Sequence, residues 1–387
     1  MLKSTFSSPI LLILESLKIQ KDSDLIEKLI LQIEDWHYFF TLAHAHGVFP
    51  LVYKSLKNHG TLIPQNILIQ MKKNNMMIVK QNMLMTSELL KIMKLLEEYN
   101  INAISFKGPL LSQLAYKDIT FRQYSDLDIL VDEEYIFTTT KLLTEKGYTH
   151  THSIKLLKNK TFLQVSNDFS LFTTNNIHIE LHWKLFREKI GLHKKFSDYF
   201  RTKTSVSIHG KEINSLSIEL LLVYLCLHGS KHAWERIEWI NDIAMLIHNN
   251  KIIWKNVLET AQIMNVETSL YLGLNLANDV CKIDMPKELL KKINSLYINN
   301  LKEDVYNFIN QDLVLHQNHS TYKQIKAFQG KLLNSNSKKI KHFIFHYISL
   351  TQNDFLAFPL PSSLRWVLYI IKPFRIIYKT VLTKNLN

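Results

Sequence analysis

The first hundred residues carry apolar side chains at the spacing of a helix. Apolar positions recur every three or four residues at Leu25, Ile26, Leu29, Ile30, Ile33, Trp36, Phe39, Phe40 and Ala43. Gly47 and Pro50 then interrupt the pattern, and a second helical segment rich in methionine extends over 64–99. We expect its methionines to fill a core. The pattern predicts a helical N-terminal region over residues 1–100.

The pattern changes near residue 101. Residues 101–106 are short and apolar and end at Lys107-Gly108-Pro109, which is typical of a turn from a strand into a helix. Residues 127–131 resemble a second strand, and β-branched alternation over 149–183 predicts two or three more. Strands that alternate with helices indicate a small unit around a mixed sheet, over residues 101–215.

Helical periodicity returns at Ser217 and continues almost to the end, apart from a polar stretch at 334–341 that we expect to be a loop. The predicted fold class is therefore α+β: a mixed β-sheet core flanked by helical N- and C-terminal regions. The third region covers residues 216–387 and includes a basic tail.

Composition narrows the classes of function. The chain has 387 residues, 46% of them hydrophobic, and a net charge of +13, which favours anionic partners such as phosphates, nucleic acid or acidic lipid. Its nine glycines are widely separated, so the Rossmann, P-loop, kinase and nucleophile-elbow motifs are absent. A dehydrogenase, Walker ATPase, kinase or α/β-hydrolase of the usual type is thereby disfavoured.

The cellular setting is predicted from cysteines and apolar runs. Cys226 and Cys281 are far apart and form no C-x-x-C pair, as expected in a reducing cytoplasm. No apolar run approaches the roughly 20 residues that a membrane span needs. The apolar residues 10–14 are followed by Glu15 and predict a first helix, since no signal-peptide cleavage site follows. We expect a cytoplasmic protein.

The chemistry centres on two aspartates in a strand-like segment. Asp126 and Asp128 alternate with apolar residues, so a strand would place both carboxylates on one face. Such a pair repels unless a cation lies between its members. Mg²⁺, with Mn²⁺ as the other candidate, is the natural occupant when a substrate brings phosphates. The alternative is two solvated acids at the end of a strand.

A second segment supplies a third carboxylate. Residues 177–183 alternate strictly, which places His178, Glu180 and His182 on one face. A phosphoryl-transfer site with metal ions commonly uses a further carboxylate from a neighbouring strand, and Glu180 is the candidate. A zinc site made by His178, Glu180 and His182 is one competing hypothesis. A purely structural surface is the other.

These motifs together resemble a known family. The chain is similar to the uncharacterised bacterial nucleotidyltransferases of the DNA polymerase β superfamily, some of which occur in lasso-peptide gene clusters. The matching motifs are Phe106-Lys107-Gly108, Arg122-x-x-Ser125-Asp126-x-Asp128, Glu180-x-His182-Trp183 and His228-x-x-Lys231-His232-x-Trp234-x-Arg236-x-x-Trp239-x-x-Asp242. The resemblance implies a nucleotidyltransferase-like core.

The resemblance also implies roles for single residues. Asp126 and Asp128 would be catalytic metal ligands, and Glu180 the third metal ligand, which activates the acceptor hydroxyl. Gly108 would occupy the nucleotide-contacting turn, although Pro109 replaces the usual serine and removes a backbone donor.

Further residues are predicted to bind the nucleotide or substrate. Lys107 and Arg122 would supply positive charge as phosphate clamps. The complete predicted set is Lys107, Gly108, Arg122, Ser125, His182, His228, Lys231, His232 and Arg236. Trp234 and Trp239 are expected to be core residues rather than stacking platforms.

The predicted activity is Mg²⁺-dependent transfer from a nucleoside triphosphate, or another nucleotide-activated donor, to a hydroxyl or phosphate. A peptide or another small molecule is the candidate acceptor, and nucleic acid is less favoured. One alternative is a sugar transferase that uses a nucleotide-sugar on a peptide or phosphopeptide. The other is an inactive nucleotide- or RNA-binding module.

The tail carries much of the charge. On a helix, four cations fall within a narrow arc with apolar residues around them, namely Arg365, Lys372, Arg375 and Lys379. A solvated face and a membrane-surface anchor are alternatives. We expect this stripe to face the active-site cleft and attract substrate phosphates.

Overall fold

The N-terminal region is a layer of helices around one very long helix. The computed structural model describes residues 6–186, 195–280, 282–310, 319–333 and 349–384, without the side chains of 319–322 and 376–384. The first helices are α1 Ser8–Leu17, α2 Ser23–Ile30, α3 Trp36–Ala45, α4 Phe49–Leu56 and α5 Gln65–Glu98. The predicted helical region, including a first helix over the apolar residues 10–14, is confirmed.

A mixed five-stranded sheet follows. Its strands are β1 Ala103–Ser105, β2 Asp126–Val131, β3 Thr149–His150, β4 Asp168–Phe172 and β5 His178–His182. They lie in the order β1-β2-β5-β4-β3, and only the β2–β5 pair is parallel. The connecting helices are α6 Gly108–Tyr116, α7 Ile136–Glu145 and α8 Lys160–Val165. The predicted mixed sheet is confirmed.

A small hairpin closes this unit. After α9 (Phe196–Arg201), strands β6 (Thr204–Ile208) and β7 (Lys211–Ser215) pair antiparallel. Asn214 on β7 donates its side-chain amide to the carbonyl of Ala103, at 3.4 Å, so the hairpin lies against β1.

The C-terminal region is helical, as predicted. Its helices are α10 Ile218–Lys231, α11 Ile237–His248, α12 Trp254–Met264, α13 Glu267–Val280, α14 Lys287–Ile293, α15 Leu296–Asn310, α16 His319–Lys331, α17 Gln352–Ala357 and α18 Arg365–Lys384. Cys226 on α10 is buried, whereas Cys281 and the expected loop at 334–341 lie outside the described residues. Within the described part of the chain, no helix is both long and apolar enough to cross a bilayer.

The turn between α10 and α11 is built around Trp234. Ala233 and Trp234 both have positive φ, +53° and +57°, which carries the indole back into the core, where it is fully buried. A Cβ on Gly229 would lie 2.4 Å from this ring, and one on Gly273 would lie 2.9 Å from it. Both glycines therefore make room for the indole, which confirms Trp234 as a core residue.

The basic residues of α18, in the C-terminal tail, are not arranged as the sequence predicts. Lys372 and Arg375 both pair with Asp354, and Arg365 donates to Gln164. The exposed side chains of α18 include aromatic and apolar residues instead, namely Trp366, Tyr369, Ile370 and Phe374. The prediction of an open cationic stripe over a cleft is wrong for Lys372 and Arg375, because both are paired with Asp354. Arg365 contacts the neutral Gln164 of α8, and the side chain of Lys379 lies outside the described residues.

Candidate active site

Strands β2 and β5 bring the three carboxylates together. Because the two strands are parallel neighbours, Asp128 lies opposite Glu180 and Asp126 lies opposite His178. Side chains that alternate along each strand point to one face, so the four residues share one side of the sheet. The structure thus assembles Asp126, Asp128 and Glu180 as the sequence predicts.

Asp128 is the most enclosed of the three. Its side chain has no exposed surface, and its Oδ1 atom accepts from Lys107 Nζ at 3.2 Å and from His182 Nε2 at 3.1 Å. Burial alone would raise its pKa, but the Lys107 ammonium and the His182 hydrogen bond hold the pKa well below its usual range. Oδ2 is buried and has no partner among the described residues. Asp128 is therefore an anion with one oxygen still to be satisfied.

Asp126 and Glu180 are less buried than Asp128, and their pKa values shift in opposite directions. Burial and the neighbouring Asp128 charge raise the pKa of Asp126. The His182 imidazole, 3.4 Å from Glu180, lowers the pKa of Glu180 through a hydrogen bond, against the effect of burial. The Glu180 side chain is 28% exposed. The centre therefore opens to solvent on the side of Asp126 and Glu180.

The acid centre, defined as Asp126, Asp128 and Glu180, fits a divalent cation. Ligand atoms lie within 4.8 Å of one another in two overlapping groups, Asp126–His178–Glu180 and Asp128–Glu180–His182. Carboxylate oxygens are the ligands that Mg²⁺ and Mn²⁺ prefer. The unpartnered Oδ2 of Asp128 is the kind of buried atom that a cation would satisfy.

The histidines of β5 have separate surroundings. His182 is buried, and its hydrogen bonds to Asp128 and Glu180 raise its pKa to about 9 although burial opposes this. His178 pairs with Ser170 Oγ at 3.1 Å and stacks on Phe172. The two imidazoles fall into different ligand groups, so the zinc triad His178–Glu180–His182 is not assembled within the described residues.

The turn from β1 into α6 delivers Lys107 to the acid centre. Gly108 has φ +54°, and a Cβ there would lie 3.2 Å from the carbonyl oxygen of Asp126. Glycine therefore permits both the left-handed backbone and the close approach of this turn to β2. Lys107 is 14% exposed, and Asp128 raises its pKa further above its ordinary value despite burial. The predicted Lys107 and Gly108 both reach the centre.

Arg122 does not lie open at the centre. Its guanidinium is buried, and Nε donates to Asp242 Oδ2 at 2.8 Å. Its carbonyl accepts from Asn82 Nδ2 at 2.8 Å. The predicted phosphate clamp is instead an internal ion pair, because its partner comes from α11, which is 120 positions away in sequence. Arg122 anchors the loop that leads into β2.

The remaining predicted residues lie just before β2, at the end of α10 or in the turn between α10 and α11. Ser125 is exposed immediately before Asp126. His228 and His232 lie at the end of α10, and Lys107 contributes to lowering the pKa of each. Lys231 is exposed. Arg236 pairs with Glu238 at 3.0 Å.

Two contributors to the site were not predicted from the sequence. The Tyr224 ring lies 5.6 Å from Lys107 Nζ and 5.3 Å from the Phe106 ring. Glu238 is buried beside Arg236, and its pKa is raised to about 7, mainly by burial. Their signal in the sequence is position: Tyr224 lies one helical turn before His228, and Glu238 lies one turn before Asp242.

Comparison with known proteins shows the family to which the chain belongs. Residues 32–282 match the family model described as "Uncharacterised nucleotidyltransferase", so the chain belongs to that family. A search of curated proteins finds no match. The chain is also similar to the crystal structure of an antigenic nucleotidyltransferase-like protein from Paracoccidioides brasiliensis. That match has 16% identity and a TM-score of 0.27, and it covers 47% of this chain and 88% of the other.

Proposed function

We propose that the protein is a metal-dependent transferase that moves a nucleotidyl group from a nucleoside triphosphate to a hydroxyl or phosphate acceptor. The observation that carries the proposal is the β2–β5 pairing, which sets Glu180 directly beside Asp128, whose buried Oδ2 has no partner among the described residues. Membership of the nucleotidyltransferase family supports the same reaction class.

Asp126, Asp128 and Glu180 would hold Mg²⁺, or Mn²⁺ in its place. When bound, the cation supplies neutralisation of phosphate charge and orientation of the phosphate oxygens. The chain's own residues supply the rest. Lys107 adds a fixed positive charge at the buried end of the centre, and His182 holds Asp128 and Glu180 in place by hydrogen bonds.

Glu180 is the candidate base for the acceptor hydroxyl. Its lowered pKa keeps it ionised at neutral pH, and its partial exposure leaves it accessible to an acceptor. The ionised carboxylate accepts the hydroxyl proton as the acceptor oxygen bonds to phosphorus and pyrophosphate leaves. We propose a peptide or another small hydroxyl compound as the acceptor.

A second candidate donor is a nucleotide-sugar. The same arrangement of carboxylates and Lys107 fits the diphosphate of such a donor, because Lys107 and the cation recognise phosphate oxygens, not the group beyond them. The leaving group distinguishes the two reactions: pyrophosphate from a triphosphate, and nucleoside diphosphate from a nucleotide-sugar.

The experiment incubates the protein with Mg²⁺ and each nucleoside triphosphate or nucleotide-sugar, together with hydroxyl and peptide acceptors. We expect release of pyrophosphate by the parent protein and a loss of about 10³-fold in Asp128→Asn, as for removal of a group that stabilises developing charge. Asp132→Asn is the matched control, since Asp132 follows the same strand and caps a helical turn. Full turnover by Asp128→Asn would refute the proposal.

A further inference from the structure

A row of aromatic rings begins beside Lys107 and crosses the helical region. The Tyr224 ring lies next to Lys107 Nζ, and His228 follows at 6.2 Å in nearly parallel orientation. His232 lies 4.9 Å from His228, and Trp239 lies 5.4 Å from each imidazole. These four residues, Tyr224, His228, His232 and Trp239, are called the ring platform below.

The members of the ring platform differ in exposure. Trp239 is 9% exposed and supports both imidazoles, whereas His228 and His232 keep part of their surface open. Trp234, only a few residues away, is fully buried in the core. The open part of the platform is therefore made by the two imidazoles together with Tyr224, which is also partly exposed.

Both imidazoles are uncharged at neutral pH. Burial, helped by the nearby Lys231 and Lys107 charges, lowers the pKa of His232 to about 4, and burial lowers that of His228 well below its usual value. Neutral, partly exposed rings are good stacking partners and weak ligands for phosphate.

Positive groups lie at both ends of the ring platform. Lys107 joins one end to the acid centre, and the Arg236 guanidinium lies 5.8 Å from the Trp239 ring at the other. A molecule that places phosphates at Lys107 would extend its uncharged part along the rings.

We propose that the ring platform binds the nucleobase of the donor, with His228 and His232 as stacking residues and Trp239 as the positioning residue beneath them. This inference rests on the proposed function, because it assigns the base to a place adjoining the phosphates. Stacking on neutral rings accepts any base, so the platform recognises a flat aromatic group rather than one base edge.

The experiment compares two ligands in the presence of Mg²⁺ by calorimetry: a non-hydrolysable nucleoside triphosphate and inorganic tripolyphosphate. We expect His232→Ala to weaken nucleotide binding roughly tenfold, the range for loss of one stacking partner, and to leave tripolyphosphate binding within about twofold. His232→Phe, which keeps a ring, should restore nucleotide binding. His248→Ala, at the exposed end of α11, is the matched control and should change neither.

The outcomes separate the two proposals. If the parent binds no nucleoside triphosphate or nucleotide-sugar, the proposed function and the ring platform both fail. If the parent binds nucleotide and His232→Ala weakens tripolyphosphate equally, or weakens neither ligand, only the ring platform is refuted. Retained tripolyphosphate binding by the variant shows that its acid centre is folded. Quenching of tryptophan fluorescence by nucleotide but not by tripolyphosphate, lost in Trp239→Phe, would add a second, independent signal.

Discussion

Two fully buried aspartates show how the same side chain serves two purposes. Asp242 on α11 accepts from Arg122 Nε and Tyr116 Oη, each at 2.8 Å, and the two donors occupy different oxygens. Asp128 also has two donors, Lys107 and His182, but both approach the same oxygen. Asp242 is thus satisfied by protein alone, whereas Asp128 keeps one oxygen without a partner in the part of the chain that the structure describes. The distribution of donors, rather than burial, distinguishes the candidate ligand from the structural residue.

Glu238 sharpens this comparison. It is buried near Asp242, Arg236 takes one of its oxygens, and the other has no partner among the described residues. Its pKa is raised, whereas that of Asp128 is lowered. We infer that a proton satisfies the free oxygen of Glu238 below about pH 7, because burial and the neighbouring Asp242 and Asp126 charges outweigh the attraction of Arg122 and Arg236. A free buried oxygen marks a cation site only where the carboxyl group stays ionised.

The largest expected effect is the loss of folding stability when Asp242 is substituted. Asp242→Ala leaves the buried Arg122 guanidinium without its partner, and loss of one member of a buried pair costs about 3–5 kcal/mol. Urea denaturation measures the change in free energy of unfolding. The double variant Arg122→Met/Asp242→Ala should recover part of the loss. A stable Asp242→Ala protein with normal unfolding would contradict the structural role of this pair.

The second largest expected effect is on stabilisation by a bound cation, which should depend on Asp128 and not on Asp242. Because a ligand that binds only the folded state stabilises it by about 2.7 kcal/mol at one hundred times its dissociation constant, Mn²⁺ or Mg²⁺ should raise the melting temperature of the parent. We expect Asp128→Asn to abolish this shift and Asp242→Asn to keep it. Differential scanning calorimetry with and without metal makes the measurement. An undiminished shift in Asp128→Asn would place the cation elsewhere.

The pH dependence of Glu238 gives a smaller effect. Its pKa rises from an ordinary value of 4.5 to about 7 on folding, so the unfolded chain releases its proton first as pH increases. The contribution of this group to stability therefore falls between pH 4.5 and 7 and stays low above that range. Glu238→Gln should flatten this slope and stabilise the protein at pH 8 by less than the roughly 3 kcal/mol that this shift represents, because glutamine also gives up the ion pair with Arg236.

Denaturant titrations at pH 5 and pH 8 test that slope. Asp132→Asn, at a half-exposed position, is the control and should retain the parental difference between the two pH values. A Glu238→Gln protein that loses stability at pH 8 would show that the carboxylate is ionised and paired there.

Strand alternation predicted which carboxylates of the acid centre share a face of their strand. It placed Asp126, Asp128 and Glu180 on common faces, since side chains alternate with a period of two. The facing of Asp128 and Glu180 required the parallel β2–β5 pairing, which no local pattern encodes. The helical flanks were predictable for the same reason, because their apolar periodicity is local.

Long-range partners explain what the sequence did not predict. Arg122 resembled a phosphate clamp because its partner Asp242 comes from a distant helix. The tail cations Lys372 and Arg375 resembled an open stripe, yet one nearby acid, Asp354, takes both. In each case the charge was correctly located in the sequence, but only the folded chain shows whether it is already neutralised.

The indole of Trp234 has an evolutionary consequence. Its ring occupies the space where Gly229 and Gly273 lack a side chain, so these three positions form one steric unit drawn from α10, α11's leading turn and α13. Any substitution that enlarges either glycine requires a smaller group at position 234. Across related sequences, the three positions should therefore change together. A tryptophan at position 234 should coincide with glycine at positions 229 and 273.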